Sequence, residues 1–138
     1  MKEQIIVETV IAAPVSKVWQ CFTSPEHITR WCFASEDWCA LKATNDVRVG
    51  GVFTTRMEAK DGSAGFDFGG IYTTVEAEKA LAYTMDGKDA REVSIQFSQE
   101  GEGCRVTETF EVENENSLER QRAGWQSILE NFKKYVEA

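Results

Sequence analysis

The stretch from Asn116 to Val136 constrains the fold more than any other part of the chain, because its apolar residues recur at helical spacing. Six residues fall on one stripe of a 3.6-residue helix: Leu118, Trp125, Ile128, Leu129, Phe132 and Val136. Asn116 is the predicted N-cap, with Glu119 at the capping-box position. A helix of about 20 residues is ~30 Å long. It therefore needs an apolar surface of similar length to cover its stripe.

The preceding residues supply that surface as segments that alternate between apolar and polar residues, which is typical of β-strands. The predicted strands are 5–11, a short strand near 39–44, 52–59, 66–77, 81–85, 93–97 and 104–112. Two short helices are predicted after the first strand, one with Pro14 at its first position and one with Ser24 as N-cap before Pro25.

Glycine-containing turns separate the later strands. Asp61-Gly62 and Asp86-Gly87 predict tight hairpin turns, and Gly69-Gly70 predicts a bulge or bend inside strand 66–77. The element order β-α-α-β6-α therefore predicts one α+β domain over residues 1–138. In it a curved, meandering antiparallel sheet of six to seven strands wraps around the C-terminal helix.

The charge balance restricts the partners. Fifteen Lys and Arg against 23 Asp and Glu give a formal charge of −8, which argues against nucleic acid and against an anionic membrane surface. No apolar run reaches the ~18 residues of a membrane span. The N-terminal residues lead directly into the first strand, so we expect no signal peptide and a cytoplasmic location. We expect a monomer or a weak homodimer that pairs through a free sheet edge.

The sequence predicts neither a metal nor a cofactor. Cys21, Cys32, Cys39 and Cys104 show no CxxC spacing, and they are expected to be reduced thiols. His27 is the single histidine and is predicted to lie on the surface; its spacing to Cys32 and Cys39 matches no standard zinc pattern. No P-loop, dinucleotide fingerprint or GxSxG motif is present. Catalysis would have to use carboxylates, Tyr or Arg.

Several segments carry a resemblance to a known family, in the right order along nearly the whole chain: 13–19 (APVSKVW), 49–53 (VGGVF), 70–72 (GIY), 106–110 (VTETF) and 124–135. In these segments the chain resembles the activator of heat-shock protein 90 ATPase homologue-like proteins, within the START and birch-pollen-allergen superfamily of helix-grip folds. The resemblance implies an apolar cavity between the long helix and the sheet. Superfamily members hold lipids, sterols or plant phenolics there, some relatives are cyclases or hydrolases, and the eukaryotic namesake binds a chaperone.

Glu108 is the carboxylate of most interest, because it shares strand parity with Val106, Phe110 and Val112. If that face is the inner one, Glu108 lies between the helix and the sheet, where an unpaired charge is costly. It could then orient a ligand hydroxyl or act as a general base. The alternative is that the strand is twisted or bulged here, or that Arg56 or Arg105 neutralises the carboxylate.

The aromatic residues predict the walls of a cavity, although aromatic stripes also form plain core. The predicted lining is Trp31, Phe53, Phe66, Phe68, Tyr72, Tyr83, Phe97, Glu108, Phe110, Trp125, Leu129 and Phe132. The sequence does not determine which face of the strand that contains Gly69-Gly70 points inward. The loops 33–38 and 60–65 are a candidate gate, and the alternative is that they are simple surface turns.

Three functions remain open on the sequence alone. The first is binding of a small hydrophobic or amphipathic molecule without turnover, with Glu108 and Tyr83 as polar anchors. The second is a protein-interaction module acting on a chaperone or stress partner, which an exposed apolar patch on the outer face would indicate. The third is an enzyme that uses Glu108 and a Tyr for acid–base work.

Overall fold

Residues 3–86 and 90–138 are described by the computed structural model, and they form ten helices and strands in the predicted order. These are β1 (Gln4–Ile11), α1 (Val15–Thr23), α2 (Pro25–Ile28), β2 (Trp38–Asn45), β3 (Val52–Ala59), β4 (Gly65–Glu76), β5 (Ala80–Met85), β6 (Glu92–Glu100), β7 (Gly103–Glu111) and α3 (Leu118–Glu137). The predicted turn residue Gly87 lies outside the described residues. No helix within the described ranges is long and apolar enough to cross a membrane.

The seven strands form one antiparallel sheet, in the order β1-β7-β6-β5-β4-β3-β2. Strands β2 to β7 follow one another as a meander, and β1 completes the sheet by pairing with β7. The curved sheet with a long C-terminal helix confirms the predicted α+β helix-grip fold.

The predicted bulge at Gly69-Gly70 was wrong in its position. Both glycines pair regularly with β3, and the register of β4 shifts instead at Thr73. Gly70 is needed for a close approach of two strands, because an added Cβ would lie 2.4 Å from the Thr84 carbonyl oxygen. The shift at Thr73 determines which side chains of β4 point inward, a question that the sequence left undecided. Tyr72 is buried before it and Val75 faces inward after it, opposite Leu81.

The start of α3 also differs from the prediction. Ser117, not Asn116, is the N-cap, and its hydroxyl accepts a hydrogen bond from the Arg120 backbone N–H at 3.1 Å. Glu119 is therefore the second helical residue, and the predicted capping box does not form. Leu118 is 44% exposed and lies off the buried stripe. In α1, similarly, Pro14 is the N-cap and not the first helical residue.

Side chains of α3 cover the outer edge of β1. Three carbonyl oxygens of this edge each accept a side-chain hydrogen bond: Ile6 from Arg122 at 2.8 Å, Glu8 from Gln126 at 3.3 Å and Val10 from Lys133 at 2.5 Å. This edge is therefore not free to pair with a second molecule, and the open edge is β2, which is interrupted by a register shift at Leu41.

The position of α3 beside β1 has a second consequence. Its buried residues Leu129, Phe132 and Val136 pack into the core near β1 and α1. Strands β3, β4 and β5 lie at the other side of the curved sheet and receive less cover from the helix. A space therefore remains over their concave face.

Candidate functional site

The space over β3, β4 and β5 is a cavity of about 250 Å³, roofed by α2 and by the middle of α3. Its lining is mostly apolar and aromatic, with a few polar groups. The lining residues are Phe22, Ile28, Trp31, Cys32, Thr44, Asn45, Phe53, Thr55, Met57, Phe66, Phe68, Tyr72, Leu81, Tyr83, Met85, Arg91, Ile95, Glu108, Trp125 and Ile128.

The structure brings together eight of the twelve residues predicted to line a cavity: Trp31, Phe53, Phe66, Phe68, Tyr72, Tyr83, Glu108 and Trp125. The other four, Phe97, Phe110, Leu129 and Phe132, are not lining residues and are 0–5% exposed in the core. Their rings or side chains are covered by other residues of the core. A helix stripe and a strand face each continue from cavity into core, so periodicity alone could not separate the two groups.

The packing of the aromatic residues shows where the core ends. Phe132 contacts Trp31 and Phe22, with ring centroids 4.7 and 5.3 Å apart. Phe110 lies flat under the Trp125 indole, with centroids 4.1 Å apart and planes 12° apart. Because Phe110 is stacked behind it, Trp125 is the ring that faces the cavity at this point.

Several lining residues were missed although the sequence contained a signal for them. Thr55 and Met57 share strand parity with Phe53, and Leu81 and Met85 share it with Tyr83. The alternation that selected the aromatic residues therefore predicts these positions equally well. Asn45 and Arg91 had no such signal, because each reaches the cavity from the end or the flank of a strand.

Phe53 lies at the centre of the aromatic wall formed by β3, β4 and β5. Its ring centroid is 4.7 Å from that of Tyr83, 5.1 Å from that of Tyr72 and 5.8 Å from that of Phe68. The Phe68 ring in turn meets the edge of Trp125 at 6.2 Å. Three of these four contacts are edge-to-face, which is a favoured packing of aromatic rings, and all five rings line the cavity.

The two loops predicted as a gate lie side by side. Phe66 lines the cavity and is 49% exposed, so it lies at the opening, where its ring contacts Trp38 at 5.9 Å. The Lys60 backbone N–H donates to the Asp37 carbonyl oxygen at 2.8 Å and joins the two loops. Gating by these loops stays a prediction.

Glu108 lies on the inner face, where it is 8% exposed. Within residues 3–86 and 90–138 its carboxylate has no hydrogen-bond or ion-pair partner. The two arginines considered from the sequence are engaged elsewhere: Arg56 with Glu58 and Asp67, and Arg105 with Glu8 and Glu100. Burial raises the pKa of Glu108 to about 8, so the carboxyl is largely protonated at neutral pH.

The polar groups around Glu108 hold their protons as well. Burial and the nearby Glu108 raise the pKa of Cys32 to about 12, and the same two causes raise the pKa of Tyr83 well above its ordinary value. The Tyr72 hydroxyl donates to Asn45 Oδ1 at 2.8 Å, and Asn45 donates to the Thr23 carbonyl oxygen at 2.7 Å. Tyr72 and Asn45 are therefore fixed by the protein, whereas Glu108 and Tyr83 can bond to a guest.

His27, predicted to lie on the surface, is partly exposed in α2. Its Nδ1 forms a hydrogen bond with the Tyr135 hydroxyl, and the two rings pack against each other at 5.7 Å. In the described part of the chain, no three His, Cys, Asp or Glu side chains are grouped to hold a metal ion. The four cysteines are free thiols there.

Comparison with known proteins identifies relatives over the whole fold. The family model described as Activator of Hsp90 ATPase homolog 1-like protein matches residues 12–137. The solution structure of an AHSA1-like protein from Aeromonas hydrophila is 47% identical, with a TM-score of 0.91, and the match covers 98% of this chain and 92% of that chain. A solution structure from Cytophaga hutchinsonii is 44% identical, with a TM-score of 0.83 and coverage of 97% and 92%.

A more distant relative shares the fold alone. The crystal structure of a protein from Chromobacterium violaceum is 24% identical, with a TM-score of 0.86, and the match covers 98% of this chain and 97% of that chain. No match is found among curated proteins.

Proposed function

Because the chain belongs to the Activator of Hsp90 ATPase homolog 1-like family and holds an apolar cavity between helix and sheet, we propose that it binds a small amphipathic molecule in that cavity without turnover. The observation that carries the proposal is the combination of an aromatic wall with two buried polar groups, on Glu108 and Tyr83. Pockets for small ligands are built in this way, with apolar walls and a few placed polar groups.

The cavity volume limits the size of the ligand. An apolar cavity of ~150 Å³ accommodates benzene, so a cavity of about 250 Å³ favours a ligand with one or two fused rings. Among the lipid-, sterol- and polyphenol-like molecules that the family resemblance implies, the smallest phenolic class agrees best with this volume.

Filling the cavity should abolish binding. Thr55 is 3% exposed and lines the cavity, so Thr55→Phe places a ring in the space a ligand would occupy. We expect this variant to lose the fluorescence enhancement of the neutral probe N-phenyl-1-naphthylamine at least tenfold. The matched control is Thr54→Phe, which adds the same ring to the adjacent, outward-facing position of β3.

Native mass spectrometry of the purified protein provides the complementary measurement. A reproducible small-molecule adduct that is present in the wild type and in Thr54→Phe but absent in Thr55→Phe would support the proposal. Equal probe binding by both variants, or an apo mass with no probe uptake by the wild type, would contradict it. Circular dichroism establishes that both variants are folded.

One observation favours the chaperone-interaction alternative. Val52 and Ile71 face each other across β3 and β4 on the outer side of the sheet, and with Val49 they are 47–65% exposed. Exposed apolar patches mark interaction sites. If this patch contacts an ATPase of the Hsp90 class, the protein should stimulate ATP hydrolysis by that chaperone, and the double variant Val52→Lys, Ile71→Lys should remove the stimulation. Unchanged hydrolysis with the wild type would contradict this function.

A further inference from the structure

The charge pattern of the cavity lining identifies the kind of polar group a ligand should carry. Among the described residues that line the cavity, Glu108 is the only Asp or Glu. Its side chain is more than nine-tenths buried and faces the cavity without a partner in residues 3–86 and 90–138. A buried carboxylate becomes favourable only when a donor or a positive charge is supplied. In this site a ligand can supply it.

The positive residue of the lining does not supply that charge. Arg91 lines the cavity, but its Nη1 donates to the Glu111 carbonyl oxygen at 3.4 Å, and the residue has at least one further interaction. The charge of Arg91 lowers the pKa of Tyr83, whereas burial alone accounts for the raised pKa of Glu108. Arg91 is therefore engaged by other groups, and Glu108 has no ion-pair partner among residues 3–86 and 90–138.

The aromatic wall suits a cation as well as an apolar ring. The faces of Trp, Tyr and Phe rings attract positive charge, and this attraction is strongest where water is excluded. Phe53, Tyr83, Phe68 and Trp125 all line the same cavity as Glu108. An aromatic wall with one buried carboxylate thus offers an ammonium group two kinds of attraction.

We propose that the ligand is an organic cation, in which an ammonium group on a body of one or two aromatic rings pairs with the Glu108 carboxylate while the rings lie against Phe53, Phe68 and Trp125. This inference rests on the proposed binding function and specifies its ligand class. The Tyr83 hydroxyl is the second anchor, available to a hydroxyl or carbonyl elsewhere on the ligand.

Binding of an ammonium should depend on pH. The other titratable groups in the described lining are Cys32, Tyr72, Tyr83 and Arg91; the α3 residues in the lining, Trp125 and Ile128, and the β1 neighbour Val7 carry no charge. Burial raises the pKa values of the thiol and both hydroxyls, which remain protonated below pH 9. Glu108 alone therefore changes charge over the neutral range, and it must lose its proton to pair with an ammonium.

Three probes of matched shape test the inference: 2-(1-naphthyl)ethylamine, 2-(1-naphthyl)ethanol and 1-naphthylacetate. At pH 8.5 we expect the ammonium to bind the wild type at least tenfold more tightly than the alcohol, and the carboxylate to bind most weakly. An alkylammonium has a pKa of about 10 and stays charged over this pH range. Its affinity should therefore rise up to about tenfold from pH 6 to pH 7 as Glu108 deprotonates, while the affinity of the alcohol stays level.

The variant Glu108→Gln keeps the shape of the side chain and removes the charge. It should bind the ammonium and the alcohol within threefold of each other and lose the pH dependence of ammonium binding. Isothermal titration calorimetry in two buffers of different ionisation enthalpy should show proton release on ammonium binding to the wild type at pH 7 and none with the variant.

The outcomes separate this inference from the function on which it rests. Equal or tighter binding of the alcohol by the wild type, or unchanged ammonium affinity in Glu108→Gln, would overturn the ligand class and leave the binding function intact. Failure of all three probes and of N-phenyl-1-naphthylamine to bind the wild type would overturn both.

Discussion

At pH 8.5, Glu108→Gln should be more stable than the wild type by on the order of 4 kcal/mol, whereas at pH 5 the two proteins should differ by less than about 1 kcal/mol. The reason is the buried carboxyl, whose pKa in the folded protein is about 8. Each pKa unit of difference between folded and unfolded states corresponds to ~1.4 kcal/mol. Urea unfolding followed by circular dichroism at both pH values measures the difference.

The sign follows from which state holds the proton. Between the ordinary pKa of a glutamate, 4.5, and the folded value of about 8, the native protein keeps the proton of Glu108 and the unfolded chain releases it. Its contribution to stability is thus fully present below pH 4.5 and is lost as the pH rises through 8. The variant has no such loss.

A surface glutamate provides the control for this measurement. Glu102 is exposed in the turn before β7, and Glu102→Gln should change the free energy of unfolding by no more than about 0.5 kcal/mol at either pH. If the difference between the wild type and Glu108→Gln were the same at pH 5 and pH 8.5, Glu108 would not be buried as a protonated acid. The anchor of the proposed site would then be refuted.

Phe132→Ala should destabilise the protein by about 3–5 kcal/mol. Phe132 is 0% exposed and packs between Trp31 and Phe22, so its removal leaves a void in the core that its neighbours cannot close. For a domain of this size the midpoint of thermal unfolding should fall by roughly 10 °C or more. Thermal and urea unfolding monitored by circular dichroism measure both quantities.

Phe66→Ala is the matched control, because it removes the same side chain from the mouth of the cavity, where the ring is 49% exposed. We expect it to cost less than about 1 kcal/mol. Should Phe132→Ala fail to accumulate as a folded protein, Phe132→Leu gives a smaller loss in the same direction. Similar costs for Phe66→Ala and Phe132→Ala would contradict the separation of core from cavity.

The Glu108 and Phe132 experiments both test the asymmetric position of α3 over the sheet, one in the cavity and the other in the core. The helix α3 is held beside β1 by hydrogen bonds from Arg122, Gln126 and Lys133. Its C-terminal half therefore packs Leu129, Phe132 and Val136 into the core near α1, whereas its middle, at Trp125, lies over the cavity. A packed core and a cavity with a buried acid are consequences of one asymmetric placement.

The inward orientation of Glu108 was predictable to a large degree from its own strand. Val106, Glu108 and Phe110 share one face of β7, and the two apolar residues are buried, so the parity of the strand carries Glu108 inward. The parity of the strand could not show whether the Glu108 carboxylate has a hydrogen-bond or ion-pair partner. Arg56 and Arg105 were reasonable candidates by sequence, and only the pairing of the strands shows that both guanidiniums bond to other carboxylates.

For a related reason, the sequence could not predict which apolar residues line the cavity and which belong to the core. Trp125 and Phe132 lie on one helix stripe seven residues apart, yet one faces the cavity and the other the core. The face of β4 was undecidable because the register shift occurs at Thr73, a residue with no turn chemistry of its own.

The sequence by itself determined the element order, the single meandering sheet, the amphipathic terminal helix and the inward parity of Glu108, because these depend on periodicities of two and 3.6 residues along the chain. Only the tertiary structure decided how far the helix lies from each strand, and hence where a cavity of about 250 Å³ remains. The physical reason is that periodicity fixes which way a side chain points. The width of the space it points into depends on the curvature of the sheet and on contacts between residues distant in the chain.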